Sequence, residues 1–374
     1  MPIRIFVLVC VFLGGLGQGV VNPKLPELLA DHARLALDSG VSASLMYLGI
    51  FGASFLYGRA ADRGYVFRLL AFGLVLYSSV LLLFVVAGSG EAVFALRFCE
   101  GLAVSAIYVA ADVVLCRASR DDERGRWLSY YGVALSLGLL AGPLTVMLVE
   151  HVRGGSALGA TLAGLAGVPL LFGGLSLGFR LPAGAPDERG TVRRRAVPAA
   201  VLYGFLEAGL VAVLAALVVE RFRVAVEPVF IALILAAVPA SLVWGWLIDR
   251  VGGRRALLAV FLVFVASEGA LGILSASLPP AACAYLTAAA FGVAAGGIYP
   301  AGFAWLVEGC PPSRFGYASG LFTRAYGLGS LFGPLCFGFA VEGAGERGFF
   351  ALAFALGLVG IACASRVSSG TGAS

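Results

Sequence analysis

Long apolar runs separated by short clusters of arginine and acid set the pattern of this chain. Leu69–Gly90, Gly154–Phe179, Val229–Ile248 and Gly348–Ser365 contain no Asp, Glu, Lys or Arg. Each approaches or exceeds the ~20 residues with which a helix crosses a bilayer. Gly269–Val307 runs for 39 residues without a charge, and Pro279-Pro280 splits it into two spans joined by a tight turn. Taken run by run, the pattern predicts twelve spans, at 4–21, 41–61, 69–88, 92–116, 127–149, 156–179, 198–219, 228–248, 256–277, 281–307, 316–341 and 348–365. With ~20 residues in each span, about 11 remain for each connection, which leaves no room for a soluble domain. Arg4 ahead of an apolar run also fits a signal peptide, but Val21-Asn22-Pro23-Lys24-Leu25-Pro26 offers no small-x-small cleavage site. The first span is therefore expected to stay in the mature chain.

Composition turns this pattern into a class. Hydrophobic residues make up 60% of the chain and charged ones 13%, with a mean hydropathy of +0.97. A soluble chain carries about 25% charge, so the supply here cannot cover a water-facing surface. A soluble multidomain enzyme is excluded. Basic residues concentrate on the cytoplasmic side of membrane proteins. With both termini on one side, eighteen arginines fall there, while Lys24, Arg34, Arg153, Arg221, Arg223 and Arg347 fall on the other. Both termini are thus expected in the cytoplasm, in an inner, multi-pass membrane setting. The net charge of +5 is then topological and requires no nucleic-acid partner.

Soluble-enzyme chemistry lacks material. Seven cysteines are scattered without C-x-x-C spacing, and only His32 and His151 exist, near opposite loops. A metal site needs clustered ligands, and an unpaired cysteine set within spans reads as small apolar packing. No G-x-S-x-G or H-E-x-x-H occurs. Gly327–Gly333 resembles a dinucleotide loop only superficially, since its spacing is off by one and it lies inside a helix. Neither a cofactor, a metal nor an enzymatic activity is expected.

An internal repeat organises the chain. At an offset of 191 residues, Gly125 matches Gly316, Gly138 matches Gly329, and Gly142-Pro143 matches Gly333-Pro334. The same offset pairs Gly101 with Gly292 and Ile107-Tyr108 with Ile298-Tyr299. Gly58-x-x-x-Asp62-Arg63 repeats as Gly245-x-x-x-Asp249-Arg250 at an offset of 187. The fold class expected is all-α and membrane-embedded, with six-helix bundles at 1–180 and 198–374 and a cytoplasmic linker at 181–197. Parallel repeats of this kind are the layout of many secondary transporters.

These residues resemble the major facilitator superfamily over nearly the whole chain. Gly245-Trp246-Leu247-Ile248-Asp249-Arg250-Val251-Gly252-Gly253-Arg254-Arg255 is similar to the family's G-x-x-x-D-R-x-G-R-R loop in full. In the first-half copy, Gly58 through Asp62-Arg63-Gly64-Tyr65, Tyr65 takes the place of the second glycine and the basic pair shrinks to Arg68. Physically, a carboxylate just past a span can cap a neighbouring helix N-terminus and pair with arginine. Such a latch holds one face closed; a solvated loop serving only topology is the alternative. Arg97-Phe98-Cys99-Glu100-Gly101 and Asp121-Asp122-Glu123-Arg124-Gly125-Arg126 resemble the family's fourth-helix R-x-x-x-G element and its E-R-G-R loop. Gly138-x-x-x-Gly142-Pro143 resembles the start of the efflux antiporters' signature but lacks its terminal glycine pair; close packing through small residues reads it equally well.

Ionisable groups at membrane depth are costly and face a cavity or each other. At 100° per residue, Arg97, Gly101, Tyr108 and Asp112 fall within about 60° on the fourth span. Arg97 either faces the cavity or snorkels to the interface. Asp112 is either a cavity carboxylate or a partner for Arg117, and Glu100 has Arg97 one turn away. Glu207 stands near mid-membrane, and the resemblance places its helix beside the central cavity, so proton coupling is expected of it ahead of Asp112 and Glu100. Arg324 is its candidate counter-ion or a substrate ligand, whereas Glu268 reads as structural. Gln18, Tyr108, Tyr299 and Trp305 either contact substrate or pack.

The resemblance implies alternating access by two rocking bundles. The expected function is a monomeric, proton-coupled secondary transporter of a small organic solute, with export of a drug-like or metabolic compound ahead of uptake of a sugar or other nutrient. A solute receptor without turnover is the alternative of another class; the short polar tail Arg366–Ser374 carries no signalling segment.

Overall fold

The computed structural model describes residues 2–28, 35–87, 89–153, 158–181 and 190–365, and among these all regular structure is helical. Backbone amides and carbonyls have no water to bond inside a bilayer, so the apolar runs close their hydrogen bonds within helices. In chain order these are α1 Ile3–Leu28, α2 Leu35–Ala60, α3 Val66–Val86, α4 Gly90–Ala118, α5 Arg124–Arg153, α6 Leu158–Ser176, α7 Val197–Glu220, α8 Val226–Val251, α9 Gly253–Leu274, α10 Pro280–Val307 and α11 Phe315–Ser365. Among the described residues, ten stretches are long and apolar enough to cross a membrane. Two of them, Val41–Val86 and Pro312–Ser365, run for 46 and 54 residues. Glycines at positive φ break both: Gly64 at 89° and Gly345 at 60°. Divided there, the membrane-length stretches among the described residues number twelve.

Two expected loops are absent from the described residues. The chain passes from α2 to α3 through a five-residue π turn, Ala61–Tyr65, and α11 runs through 342–347 with only Gly345 out of helical geometry. Likewise α1 continues past Asn22 to Leu28. Apolarity marks depth in the membrane, whereas a helix continues until its backbone ladder is interrupted. Linker positions 182–189, the tail 366–374, His32 and Arg34 lie outside the described residues.

Two bundles result. In the first, α1 packs on α5, α4 on α2 and α3, and α6 on α3; in the second, α7 packs on α11, α10 on α8 and α9, and α9 on α11. The bundles meet chiefly through α2 against α11 and α5 against α8. The internal repeat exchanges these two contacts. Small residues permit the close approaches within each bundle. A Cβ at Gly142 would lie 2.6 Å from the Gly19 Cα of α1, and one at Gly329 would lie 2.8 Å from the Phe205 amide nitrogen of α7. Gly138 and Gly333 face the same partners. The Gly-x-x-x-Gly-Pro element therefore seats α5 on α1 and α11 on α7, leaving the antiporter-like residues engaged in packing. Large apolar side chains such as Val86, Ile273 and Phe339 remain outside, where lipid lies.

Candidate functional site

Two pseudo-symmetric joints close the arginine-rich face. At the end of α8, Asp249 accepts hydrogen bonds from the backbone N–H groups of Gly125 (2.7 Å) and Arg126 (3.3 Å), at the start of α5. The Arg126 side chain adds Nε at 2.7 Å. Past the end of α2, Asp62 accepts from the N–H groups of Gly316 (2.6 Å) and Tyr317 (2.7 Å), at the start of α11. Each carboxylate caps a helix of the opposite bundle, satisfying orphan amides and opposing the positive end of the helix dipole. Glycine is required beneath each one. A Cβ at Gly125 would stand 2.7 Å from Asp249 Oδ1, and one at Gly316 would stand 2.7 Å from Asp62 Oδ1. That requirement is the physical content of the Gly125/Gly316 match in the repeat.

The first-half loop keeps its turn despite Tyr65. Gly64 (φ 89°, ψ 3°) and Gly252 (φ 86°, ψ 156°) both take a positive φ that favours glycine, Gly64 one residue earlier in its motif and with a different ψ. Gly58 and Gly245 also lie at the joints, against Gly316 and against Ser129 and Arg126. The remaining loop residues divide their tasks. Glu123 accepts from Arg4 at 2.6 Å; an N–H bond from Arg120, with Arg4 adding, holds its carboxyl below the usual range. Arg124 pairs with Asp121 and lies over the Phe315 ring. Arg250 covers the Trp246 ring at 3.8 Å, and Arg254 closes the last carbonyls of α11, at Ala364 and Ser365. Arg63 and Arg255 are exposed.

Deeper in, Asp112 of α4 is buried and accepts from two residues of the other bundle, Tyr299 of α10 and Ser319 of α11 (2.6 Å). The local partner expected for it goes elsewhere: Arg117 reaches Asp62 at 3.4 Å and the Pro312 carbonyl at 3.0 Å. The Tyr299 ring stacks on Tyr131 at 4.9 Å between centroids. From there aromatic contacts continue through Tyr203 and Tyr326 to Tyr47, and through Tyr131 to Tyr108. Six tyrosines from α2, α4, α5, α7, α10 and α11 thus line the place where the bundles face each other. Glu207 of α7 stands among them, half-buried, with the Tyr203 and Tyr326 hydroxyls in hydrogen-bonding reach and its Oε2 unpartnered among the described residues. Gln18 of α1 joins from below, donating to Tyr108 at 2.5 Å.

The fourth-helix stripe does not converge on one cavity. Arg97 neither snorkels nor faces the ring: it is 1% exposed and locked to Glu100 at 2.6 Å inside the first bundle. Gly101 seats α4 on α2, against Met46 and Gly49. Only Tyr108 and Asp112 reach the inter-bundle region, because α4 crosses different neighbours along its length. Arg324 is exposed and lies over the Phe51 ring at 4.6 Å. It precedes Tyr326 by two positions, about 200° around the helix, and so lies on a different face from the one that meets Glu207. Trp305 is buried near the basic end of α10, outside the ring. Glu268 is fully buried in α9, and the structure gives neither of its oxygens a partner among the described residues.

Sequence reasoning missed Tyr47, Tyr131, Tyr203 and Tyr326. Tyr203 was findable, because it precedes Glu207 by four residues and shares its helix face. The other three carry no local signal.

Comparison with known proteins follows the same lines. The chain matches the Major Facilitator Superfamily profile over residues 7–219 and again over 196–368. It is 26% identical to YfkF, an uncharacterised MFS-type transporter of Bacillus subtilis, across 90% of this chain and 88% of that one. Among solved structures, the human organic anion transporter MFSD10 superposes with a TM-score of 0.81 at 20% identity, covering 97% of this chain and 99% of that one. A fucose:proton symporter of E. coli superposes with 0.74 at 18% identity, covering 98% and 99%. At such identities the structural likeness shows the fold.

Proposed function

The chain belongs to the Major Facilitator Superfamily as a multi-pass membrane transporter, and from that premise we propose that it moves a small organic solute by proton-coupled alternating access, with Glu207 as the coupling carboxyl. The observation that carries this is the setting of Glu207. It stands among tyrosines contributed by both bundles, with one oxygen left without a partner among the described residues. A proton on that oxygen removes a charge that is costly at membrane depth. Its release restores a group able to hold solute or the facing tyrosines. A proton-coupled relative of the same fold supports this reading.

The basic face is cytoplasmic in this proposal, with both termini on that side and the protein acting as a monomer in the inner membrane. Residues 1–180 and 198–374 form the two rocking bodies. Asp62 and Asp249 hold the cytoplasmic side shut, so the state described is closed inward. The Tyr299–Asp112–Ser319 contact forms an inner layer of the same closure. Tyrosine faces and few ionisable groups suit a drug-like or metabolic compound better than a sugar, which wants many amides, so export is the direction proposed.

Purified protein in liposomes tests the reading. An imposed pH gradient should drive solute flux in the wild type, which a receptor would not support. Glu207→Gln should still bind and exchange solute in counterflow, yet fail to move it against a gradient. Gradient-driven transport by Glu207→Gln with the wild-type pH dependence would remove Glu207 from the coupling step.

A further inference from the structure

Beside the latch, the segment leading into α7 crosses the ends of α9, α10 and α11 and leaves a cavity of about 780 Å³. Arg193, Arg194, Arg195, Arg254 and Arg314 line it, with Glu308 the one lining carboxylate among the described residues. A topological excess of arginine explains how many this face carries. It does not explain why guanidiniums from three separate stretches converge on one concavity. Main-chain contacts bring them there: the Arg193 N–H donates to the Leu306 carbonyl at 3.0 Å, and Arg314 donates to the Gly190 carbonyl at 3.4 Å. Existing bonds leave most donors unused. Arg194 gives one nitrogen to the Tyr317 hydroxyl at 2.9 Å, Arg193 reaches the Glu308 carbonyl and, at 3.5 Å, its carboxylate, and Arg195 has no partner among the described residues. Each guanidinium holds five N–H donors in a planar fork. Among the described residues five guanidiniums share this concavity with one carboxylate, and an anion seated between them would relieve their mutual repulsion.

We propose that this cavity is a binding site for a phosphate-bearing anion, either a lipid headgroup of the cytoplasmic leaflet or a free phosphate. Arginine forks match phosphate oxygens in pairs. The cytoplasmic leaflet supplies phosphodiesters at the depth of juxtamembrane arginines. The site is coupled to the latch through Tyr317. Its ring and hydroxyl face Arg314 and Arg194, while its backbone N–H donates to Asp62 at 2.7 Å. An anion holding Arg194 and Arg314 therefore fixes the residue that seats the α2–α11 joint.

Full-length protein in nanodiscs separates the outcomes. Phosphatidylglycerol mixed into phosphatidylcholine should raise the midpoint of thermal unfolding by about 3 °C or more over phosphatidylcholine alone. Arg194→Gln/Arg314→Gln should lose most of that rise, and Arg120→Gln, exposed on the same face and outside the cavity, should keep it. A rise given instead by 10 mM inorganic phosphate in pure phosphatidylcholine, and lost in the same double variant, assigns the site to free phosphate. Arg194→Lys/Arg314→Lys preserves the topological charge where the glutamine pair fails to insert, and should lose at least half the rise with the fork. No rise with either probe, or an equal rise in the double variants, overturns the proposal.

Discussion

Asp249→Asn isolates one of the two latches. The amide keeps one oxygen, which can still accept from Gly125, while its NH2 meets the Arg126 N–H and Nε, both donors. A hydrogen bond to a charged acceptor contributes about 1.5–3 kcal/mol. The Arg126 side chain is 50% exposed, so solvent screens its part of the pair and the two backbone N–H groups carry the joint. Removing the charge from the α5 N-terminus adds about 0.3–1 kcal/mol. Together the inward-closed state loses about 2–4 kcal/mol, which at ~1.4 kcal/mol per tenfold is about 30- to 700-fold more of the opened state. Cys116 reports it: it lies beside Arg117 in α4 and is 1% exposed in the closed state. With the other six cysteines replaced by serine, an impermeant maleimide should label Cys116 faster by about that factor in Asp249→Asn. A change under about threefold, with expression and thermal stability matched, would refute the latch as a determinant of closure.

Other consequences follow from single contacts. Arg97→Ala leaves Glu100 buried and unpaired and should destabilise by about 3–5 kcal/mol, whereas Arg97→Met/Glu100→Leu should recover most of the loss in thermal unfolding. Gly142→Ala places a methyl against the α1 backbone and should cost about 1–3 kcal/mol without changing topology, read as a lowered unfolding midpoint. Tyr299→Phe withdraws one of the two donors to Asp112 and should destabilise the closed state by about 1–3 kcal/mol, again as faster Cys116 labelling with unchanged expression.

The sequence by itself determined the apolar spans, the internal repeat and the matched glycines beneath Asp62 and Asp249. Charge-free runs specify helices because an unpaired peptide group is too costly in hydrocarbon. The Gly125/Gly316 match is legible because a carboxylate seated on a backbone admits no Cβ there. Helix ends were less legible: apolarity stops at the interface, but the ladder in α1 and across 342–347 does not. Tertiary structure alone decided who faces whom. Arg97 and Asp112 share one stripe on α4, yet one is locked inside a bundle and the other bonds across to Tyr299, because a helix that crosses several neighbours changes environment every turn or two. Tyr47, Tyr131 and Tyr326 meet around Glu207 only through the docking of two bundles, a contact between residues far apart in the chain that no local period records.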